Sequence, residues 1–395
     1  MTFLPSAEQE SALEAFERWW KRGAEGPFRL FGPAGTGKTT IAQMFHRRLG
    51  IPPILAGAYT GKAVSVLKRK GMCASTIHSA IYHPAGNAAQ IKEYERLCAI
   101  IDDPGSSKKE EREARQAKRA LLKEMSPVFE LNIDAPWSRE PAVLLDEVSM
   151  IGTKLGGDMA MLGMPIIALG DPYQLGPVKD SPFFGREADF LLTEIHRQAE
   201  GSPVLDIAER ARNGQRVPVT PWSIEVANAA DQTIVRSNVM RWRMIEKMRA
   251  ARGLEPGIPV AGDRVMCIAN NKHISGGIYN GMQFAVHSAK TSDGYHELNL
   301  IDDQDEPHTI RTRPDGFEGL ERQTEAEKVL KSFREGDPAL FTFADAITCH
   351  KAQGSEWDRV YVINEPGGND MERRRWLYTA VTRASSQVVI SGESR

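Results

Sequence analysis

Short apolar runs alternate with helical stretches through the first half of the chain. Ser6 is placed to cap a helix running to about Arg22 and ended by Gly23. The run "FRLF" (28–31) predicts a strand, and a glycine-rich loop then leads into a helix from Lys38 to Leu49, stopped by Gly50. "PPILAGAY" (52–59) predicts the next strand. "AVLLDE" (142–147) and "PIIALGD" (165–171) predict two more, each closing on acidic residues. Strands alternating with helices, with polar groups at the strand C-terminal ends, specify an α/β fold with a parallel sheet.

Residues 83–136 interrupt this rhythm. "SKKEEREARQAKRALLKEM" (107–125) is charged with both signs, opens on a Ser107/Glu110 capping box, and carries a thin stripe of Ala114, Ala117, Leu121 and Met125. That pattern predicts a solvated helix lying on a neighbour, followed by a short strand in "PVFELNI" (127–133). A second α/β region begins near Leu191. Ser202-Pro203 starts a helix that Gly214 ends, and "QTIVRSN" (232–238) is a strand followed by a helix to about Arg252. From Gly257 to about Pro338 the pattern turns β, with an Asn280-Gly281 turn and alternation in "YHELNLI" and "HTIRTR". Four units are therefore expected. They are a first lobe of residues 1–82 plus 137–190, its insertion 83–136, a second lobe of 191–256 plus 339–395, and a small β-barrel insertion, 257–338.

Composition changes the picture little. The chain has 395 residues, too many for one compact domain, and a net charge of -2, so any anion-binding surface must be a local groove. Cys73, Cys98, Cys267 and Cys349 form no C-x-x-C pair and lack histidines at metal-ligand spacing, so reduced thiols are expected. The start "MTFLPSAEQE" lacks a secretory pattern, and "MLGMPIIALG" is too short and too interrupted to cross a bilayer. These readings predict a cytoplasmic protein with no membrane partner.

Chemistry enters at "FGPAGTGKTT". Gly32-x-x-x-x-Gly37-Lys38-Thr39 completes a Walker A pattern between strand and helix. Pro33, Ala34, Gly35, Thr36, Gly37 and Thr40 supply the rest of a loop whose N–H groups curl around phosphates. Lys38 would neutralise the β and γ phosphates of ATP, and the Thr39 hydroxyl would ligate Mg²⁺. Asp146, at the tip of an apolar strand, would hold Mg²⁺ through water, while Glu147 would orient and deprotonate the attacking water. Gln174, beyond Gly170-Asp171, is placed to sense the γ-phosphate.

From this point the sequence resembles superfamily 1 helicases. "DEVSM" and "GDPYQLGPV" resemble motifs II and III. Gln9 is placed like the adenine-reading glutamine, "AYTGKAV" resembles motif Ia, and "ASTIHSAIY" the next strand-contacting motif. "LLTEIHRQ" resembles the segment with an arginine finger, here Arg197. "DAITCHKAQGSEWDRVYV" is similar to motif V, and "LYTAVTRAS" to motif VI with Arg383 as second finger. The wording fits the 5′-to-3′ RecD-like and Dda-like branch, and the compact length its phage-encoded members.

The resemblance implies two RecA-like P-loop lobes, a helical and hairpin insertion in the first, and an SH3-like barrel in the second. It implies an ATP- and Mg²⁺-dependent DNA helicase of replication, recombination or repair, acting in the cytoplasm (the host's, if phage-encoded). Single-stranded DNA and its junctions with duplex are the implied substrates, single-strand-binding and replisome proteins the candidate partners, and a monomer the expected state.

DNA contacts fall to Thr60, Lys62, Thr76, His78, Thr348, His350 and Lys351, whose phosphate and sugar contacts would carry little sequence information. Thr76 and Thr348 read equally as strand or cap residues, and Lys62 as a solvated cation. Glu356 would touch the ribose or brace a loop. Asn238 and Arg241 fit the helix after the second-lobe strand, whereas Trp242 and Glu246 are unusual there. A duplex wedge is expected from Phe129 or Trp137, each of which could instead pack beneath the insertion. Two rivals stay open: an ATPase subunit that unwinds only with a partner, and a P-loop phosphotransferase.

Overall fold

A computed structural model describes residues 4–84, 88–103, 105–124, 129–196, 202–269, 278–292, 294–318 and 339–392. The first body opens with helix α1 (Ala7–Lys21), strand β1 (Phe28–Phe31), α2 (Lys38–Leu49), β2 (Leu55–Ala58), α3 (Gly61–Arg69), β3 (Ala74–Thr76) and α4 (Ile77–Ile81). After an insertion it resumes with β6 (Val143–Asp146), α7 (Thr153–Met161), β7 (Ile166–Gly170) and β8 (Phe190–Leu191). These strands make one parallel sheet in the order β3-β2-β6-β7-β1-β8.

Both faces of this sheet are covered, so its strands are short apolar runs rather than alternating ones. On one face α1 and α2 bring Phe16 and Phe45 into a stack with centroids 3.8 Å apart, with Phe28 edge-on to Phe16. The other face buries Ile77, Ile81, Trp137, Leu145, Met159 and Phe184. Ser6 and Gln9 form a complete capping box at the start of α1.

The insertion holds β4 (Tyr82–Pro84), α5 (Ala88–Asp102), α6 (Lys108–Glu124) and β5 (Phe129–Leu131). The β4 and β5 strands pair antiparallel. The capping box at Ser107 and Glu110 forms as the sequence predicts. The neighbour of α6 is α5, whose Tyr94, Leu97 and Cys98 are buried together with Ala114. The 94, 97, 98 spacing is helical, a signal that the charged run beside it obscures.

The second body contains α8 (Pro203–Asn213), α9 (Ile224–Ala229), β9 (Gln232–Val235) and α10 (Asn238–Ala251). Its other elements are β15 (Ala346–Thr348), α11 (Cys349–Ala352), β16 (Trp357–Ile363), α12 (Asp370–Val381) and β17 (Ala384–Ser391). Its strands form a parallel sheet, β15-β9-β16-β17. Between α10 and β15 lie β10 (Arg264–Cys267), β11 (Gln283–Ser292), β12 (Tyr295–Ile301), β13 (Pro307–Thr312) and β14 (Phe341–Phe343). These pair as an antiparallel sheet in the order β13-β12-β11-β10-β14. A bridge from Thr312 to Ala339 brings the two ends of that order together. Asn280-Gly281 forms the expected turn, with Gly281 at φ +91, and leads into β11. The segment before it, 270–277, lies outside the described residues.

This sheet is mounted on α10. Met244, Ile245 and Met248 share one buried cluster with Val265, Phe341 and Phe343. Arg241 donates to Ala346 O at 3.2 Å, Thr342 Oγ1 at 2.8 Å and Phe343 O at 2.7 Å. Arg249 pairs with Asp263 at 2.5 Å, fully inside the fold. Arg252 reaches both Asp263 and Asp345. Arg241 is thus a joint between α10 and the strands, while Trp242 stacks under its guanidinium, 4.9 Å away.

Candidate nucleotide cleft and strand-facing rim

The Walker A loop leaves the C-terminal end of β1 and enters α2 at Lys38. Gly35 and Gly37 adopt φ +87 and +80, a region that favours glycine. A Cβ at Gly32 would press on the Leu192 carbonyl. Thr36 donates to Pro33 O at 3.1 Å, and Lys38 Nζ donates to Gly32 O at 2.7 Å and Pro33 O at 2.8 Å, so the ammonium sits inside the curl. Ala34 and Gly35 form the rim of the loop, and Thr39 and Thr40 the first turn of α2. Gln9 is 2% exposed. Its Oε1 accepts from Ser6 N at 3.0 Å and its Nε2 donates to Thr36 O at 3.4 Å, so the capping glutamine of α1 also braces the loop.

Asp146 ends β6 beside Ala58 of β2, and Glu147 follows in a left-handed conformation, φ 54. A non-glycine residue held there is strained and re-aims its side chain. The Glu147 N–H donates to Asp146 Oδ1 at 3.0 Å. Burial raises the pKa of both carboxyls above the usual carboxylate range. For Asp146 the opposing influence is chiefly Lys38. For Glu147 it is chiefly Arg383, while Asp146 and Asp171 push further upward.

Arg383 follows α12 in the second body and is 5% exposed. Its guanidinium donates to Thr379 O at 3.1 Å, Ser355 O at 3.2 Å and Thr382 Oγ1 at 3.2 Å. A cation held by its own body and felt across the cleft by Glu147 is suited to stabilise negative charge developing there. Arg197 lies outside the described residues.

The loop after β7 ties the two bodies together. Asp171 Oδ2 accepts from the Tyr378 hydroxyl at 2.8 Å and from Gln174 Nε2 at 3.3 Å. Leu175 N donates to Thr379 Oγ1 at 2.9 Å, and Gln353 Nε2 donates to Leu175 O at 3.2 Å. Gln174 is buried with its Oε1 unpartnered among the described residues. Such an acceptor, placed beside Asp171, is an available ligand for an incoming donor. Glu356 lines a cavity of about 410 Å³ together with Pro33, Ala34, Gly35, Thr193 and Thr382, so it faces the loop from the opposite body.

Four of the predicted strand contacts come from the first body and three from the second. Thr60 caps α3 through Ala63 N at 3.2 Å, and Thr76 caps α4 through Ser79 N at 3.3 Å. Thr348 is buried at the start of α11. Lys62 sits 5.0 Å from the Trp357 ring centroid, bridging the bodies, and burial lowers its pKa to about 8. The His78 ring lies 5.6 Å from those of both Tyr59 and Tyr82. Burial and then Arg236 lower the pKa of His350, favouring its neutral form. Lys351 Nζ donates to Asn280 Oδ1 at 2.8 Å, and Tyr279 packs so closely on Gly61 that a Cβ there would overlap it.

Several contributors escaped sequence reasoning although their motifs did not. Trp357 lies within "QGSEWD", and Tyr378 and Thr379 within "LYTAVTRAS". Their partners are distant in the chain, so no local pattern marks them. One expectation is corrected. Trp137 is 4% exposed, its indole pressed on Gly57 of β2 within the core of the first body. It is unavailable to stack on a base pair. Phe129 begins β5, but its side chain lies outside the described residues.

Residues 7–236 match the AAA domain family, and residues 343–391 the UvrD-like helicase C-terminal domain. The first match covers more than half of the chain, which therefore belongs to the AAA domain family. Over 287 residues the chain is 24% identical to the ATP-dependent RecD2 DNA helicase of Deinococcus radiodurans, an alignment covering 65% of this chain and 37% of that one. The chain thus spans little more than a third of that relative. Its fold is similar to that of Pif1 helicase in a structure of two Pif1 helicases at forked dsDNA, with TM-score 0.57 and 18% identity, covering 99% of this chain and 92% of that one. It is also similar to Bacteroides Pif1 with ADP-AlF3 and ssDNA, with TM-score 0.55 and 17% identity, covering 99% and 93%. Among the described residues no helix is long and apolar enough to cross a membrane.

Proposed function

We propose that this chain is an ATP-driven motor that moves 5′ to 3′ on single-stranded DNA and separates duplex ahead of it. The observation that carries this reading is the tie between the Asp171–Leu175 loop and Tyr378, Thr379 and Gln353, beside a cleft where Arg383 faces Glu147. A change at the γ-phosphate would be felt at once by both bodies. A phosphotransferase has no need of such a seam.

In this mechanism the Walker A amides and Lys38 hold the phosphates of ATP. Thr39 and Asp146 offer hard oxygen donors that suit Mg²⁺ and would hold it, and when bound it would neutralise phosphate charge. Glu147, raised by burial, accepts a proton from the attacking water. Arg383, joined by Arg197, counters charge on the transferred group. Gln174 reports its presence, and Glu356 meets the sugar side from the second body. Gln9, already bracing the loop, reads the base. Each cycle closes and reopens the cleft, and the rim of Thr60, Lys62, Thr76, His78, Thr348, His350 and Lys351 regrips the strand.

The domain reading follows: lobes of 1–82 plus 137–190 and 191–256 plus 339–395, a first insertion of 83–136 with Phe129 as the remaining wedge candidate, and an SH3-like barrel of 257–338. The test is unwinding of matched duplexes bearing a 5′ or a 3′ tail, together with phosphate release with and without single-stranded DNA. Stimulation by DNA and unwinding from the 5′ tail alone are expected. Phosphate release indifferent to DNA overturns the motor. Stimulation without unwinding favours the partner-dependent subunit.

A further inference from the structure

Next to the cavity that Glu356 lines, and sharing Tyr173, Leu191 and Arg212 with it, lies a second cavity of about 610 Å³, which no Walker A residue lines. Pro172, Tyr173, Arg186, Ala188 and Leu191 line it from the first body, and Arg212, Met371, Arg374 and Arg375 from the second. Its lining is mostly basic: four guanidiniums and one carboxylate, Glu187, with the buried Asp171 carboxylate also acting on Arg186. Arg212 has Glu209 at 3.7 Å, but Arg186, Arg374 and Arg375 have no ion-pair partner among the described residues. Burial, followed by repulsion from Arg375 and only partly opposed by Asp171, lowers the pKa of Arg186 to about 10. Like charges gathered from two bodies into one partly desolvated space repel each other unless an anion intervenes.

Three of the guanidiniums are held in place. Arg186 donates to Pro172 O and to Gln174 O at 3.3 Å, leaving other N–H groups for the cavity. Arg212 lies 4.8 Å from the Tyr173 ring, and Arg374 is seated over Gly214 at the end of α8. Planar, multiply donating groups of this kind match phosphoryl oxygens. The volume falls within the range of small-ligand sites.

We infer that this cavity is a second anion-binding site, for a ligand carrying two or more phosphoryl groups, which clasps Arg186 of one body to Arg212, Arg374 and Arg375 of the other. Occupancy would brace the Pro172–Gln174 backbone, and with it the loop that joins the bodies, without using the Walker A loop. The ligand is either a nucleotide or an inorganic polyphosphate.

The inference is tested by calorimetry on the full chain with AMPPNP and Mg²⁺, followed by pyrophosphate added to the AMPPNP-saturated protein. A second AMPPNP per chain marks the nucleotide as ligand. One AMPPNP and one pyrophosphate mark the inorganic anion. In either case Arg375→Gln and Arg186→Gln should weaken the second event about tenfold or more, while the first AMPPNP binds as in the parent and so reports an intact fold. Absence of a second event, or a second event equally strong in both variants, overturns the site. Neither result depends on DNA unwinding.

Discussion

The hydroxyl of Tyr378 donates to Asp171 across the boundary between the two bodies, at 2.8 Å. Burial, followed by the Asp171 charge, pushes the phenol's pKa well up, so it remains a donor at every working pH. A hydrogen bond to a charged group is worth about 1.5–3 kcal/mol. Tyr378→Phe should therefore leave ATP affinity nearly unchanged but reduce DNA stimulation of phosphate release about tenfold. An unchanged stimulation ratio would show that the seam does not transmit.

Lys38→Ala and Glu147→Gln should both abolish turnover, by different routes. The first removes a phosphate ligand and should raise the Kd for ATP. The second removes only the proton acceptor, so ATP should still bind while the rate falls about 10²–10⁴-fold. Fluorescent-nucleotide binding alongside phosphate release separates the two.

Lys62 gives a pH signature. Its pKa is lowered to about 8 by burial. Below that value it is a cation available to a DNA phosphate, and as pH rises through it the charge is lost. Affinity for single-stranded DNA should fall across that interval in the parent and stay flatter in Lys62→Arg. The same depressed value means that burying the charge opposes folding at lower pH, an opposition relieved as pH rises from about 8 toward the ordinary lysine value. Parallel fluorescence-anisotropy titrations of both proteins settle the point.

Trp137→Ala tests the core placement of the indole. The indole is a core element, so its removal should cost about 3–5 kcal/mol and lower Tm. Unwinding and ATPase should fall together, in proportion to folded protein. A well-folded variant that hydrolyses ATP yet fails only at duplex would restore the wedge.

The parallel sheet, the Walker A loop and the Asp146-Glu147 strand end were legible because each is written locally. Four-residue apolar runs, glycines at left-handed positions and a capping box all act within a few residues. The joint at Arg241 and the pairings of Tyr378 with Asp171, Lys62 with Trp357 and Asn280 with Lys351 were not legible. Each joins positions far apart in the chain, and no periodicity encodes which partner a tyrosine or lysine will meet. The misplacement of Trp137 has the same origin. An aromatic beside an insertion looks exposed until the strand it lies on, with Gly57 hollowed beneath it, is known.

The buried Arg249–Asp263 pair, with Arg252 and Asp345 beside it, has a mechanical consequence. Swinging the five-stranded sheet away from α10 would strand charges in a dry interior. The sheet is thereby fixed to its own half, and it meets the first body where Tyr279 rests on Gly61 and where Arg69 pairs with Asp303 at 3.4 Å. A side chain at Gly61 would therefore push the insertion away from the first body.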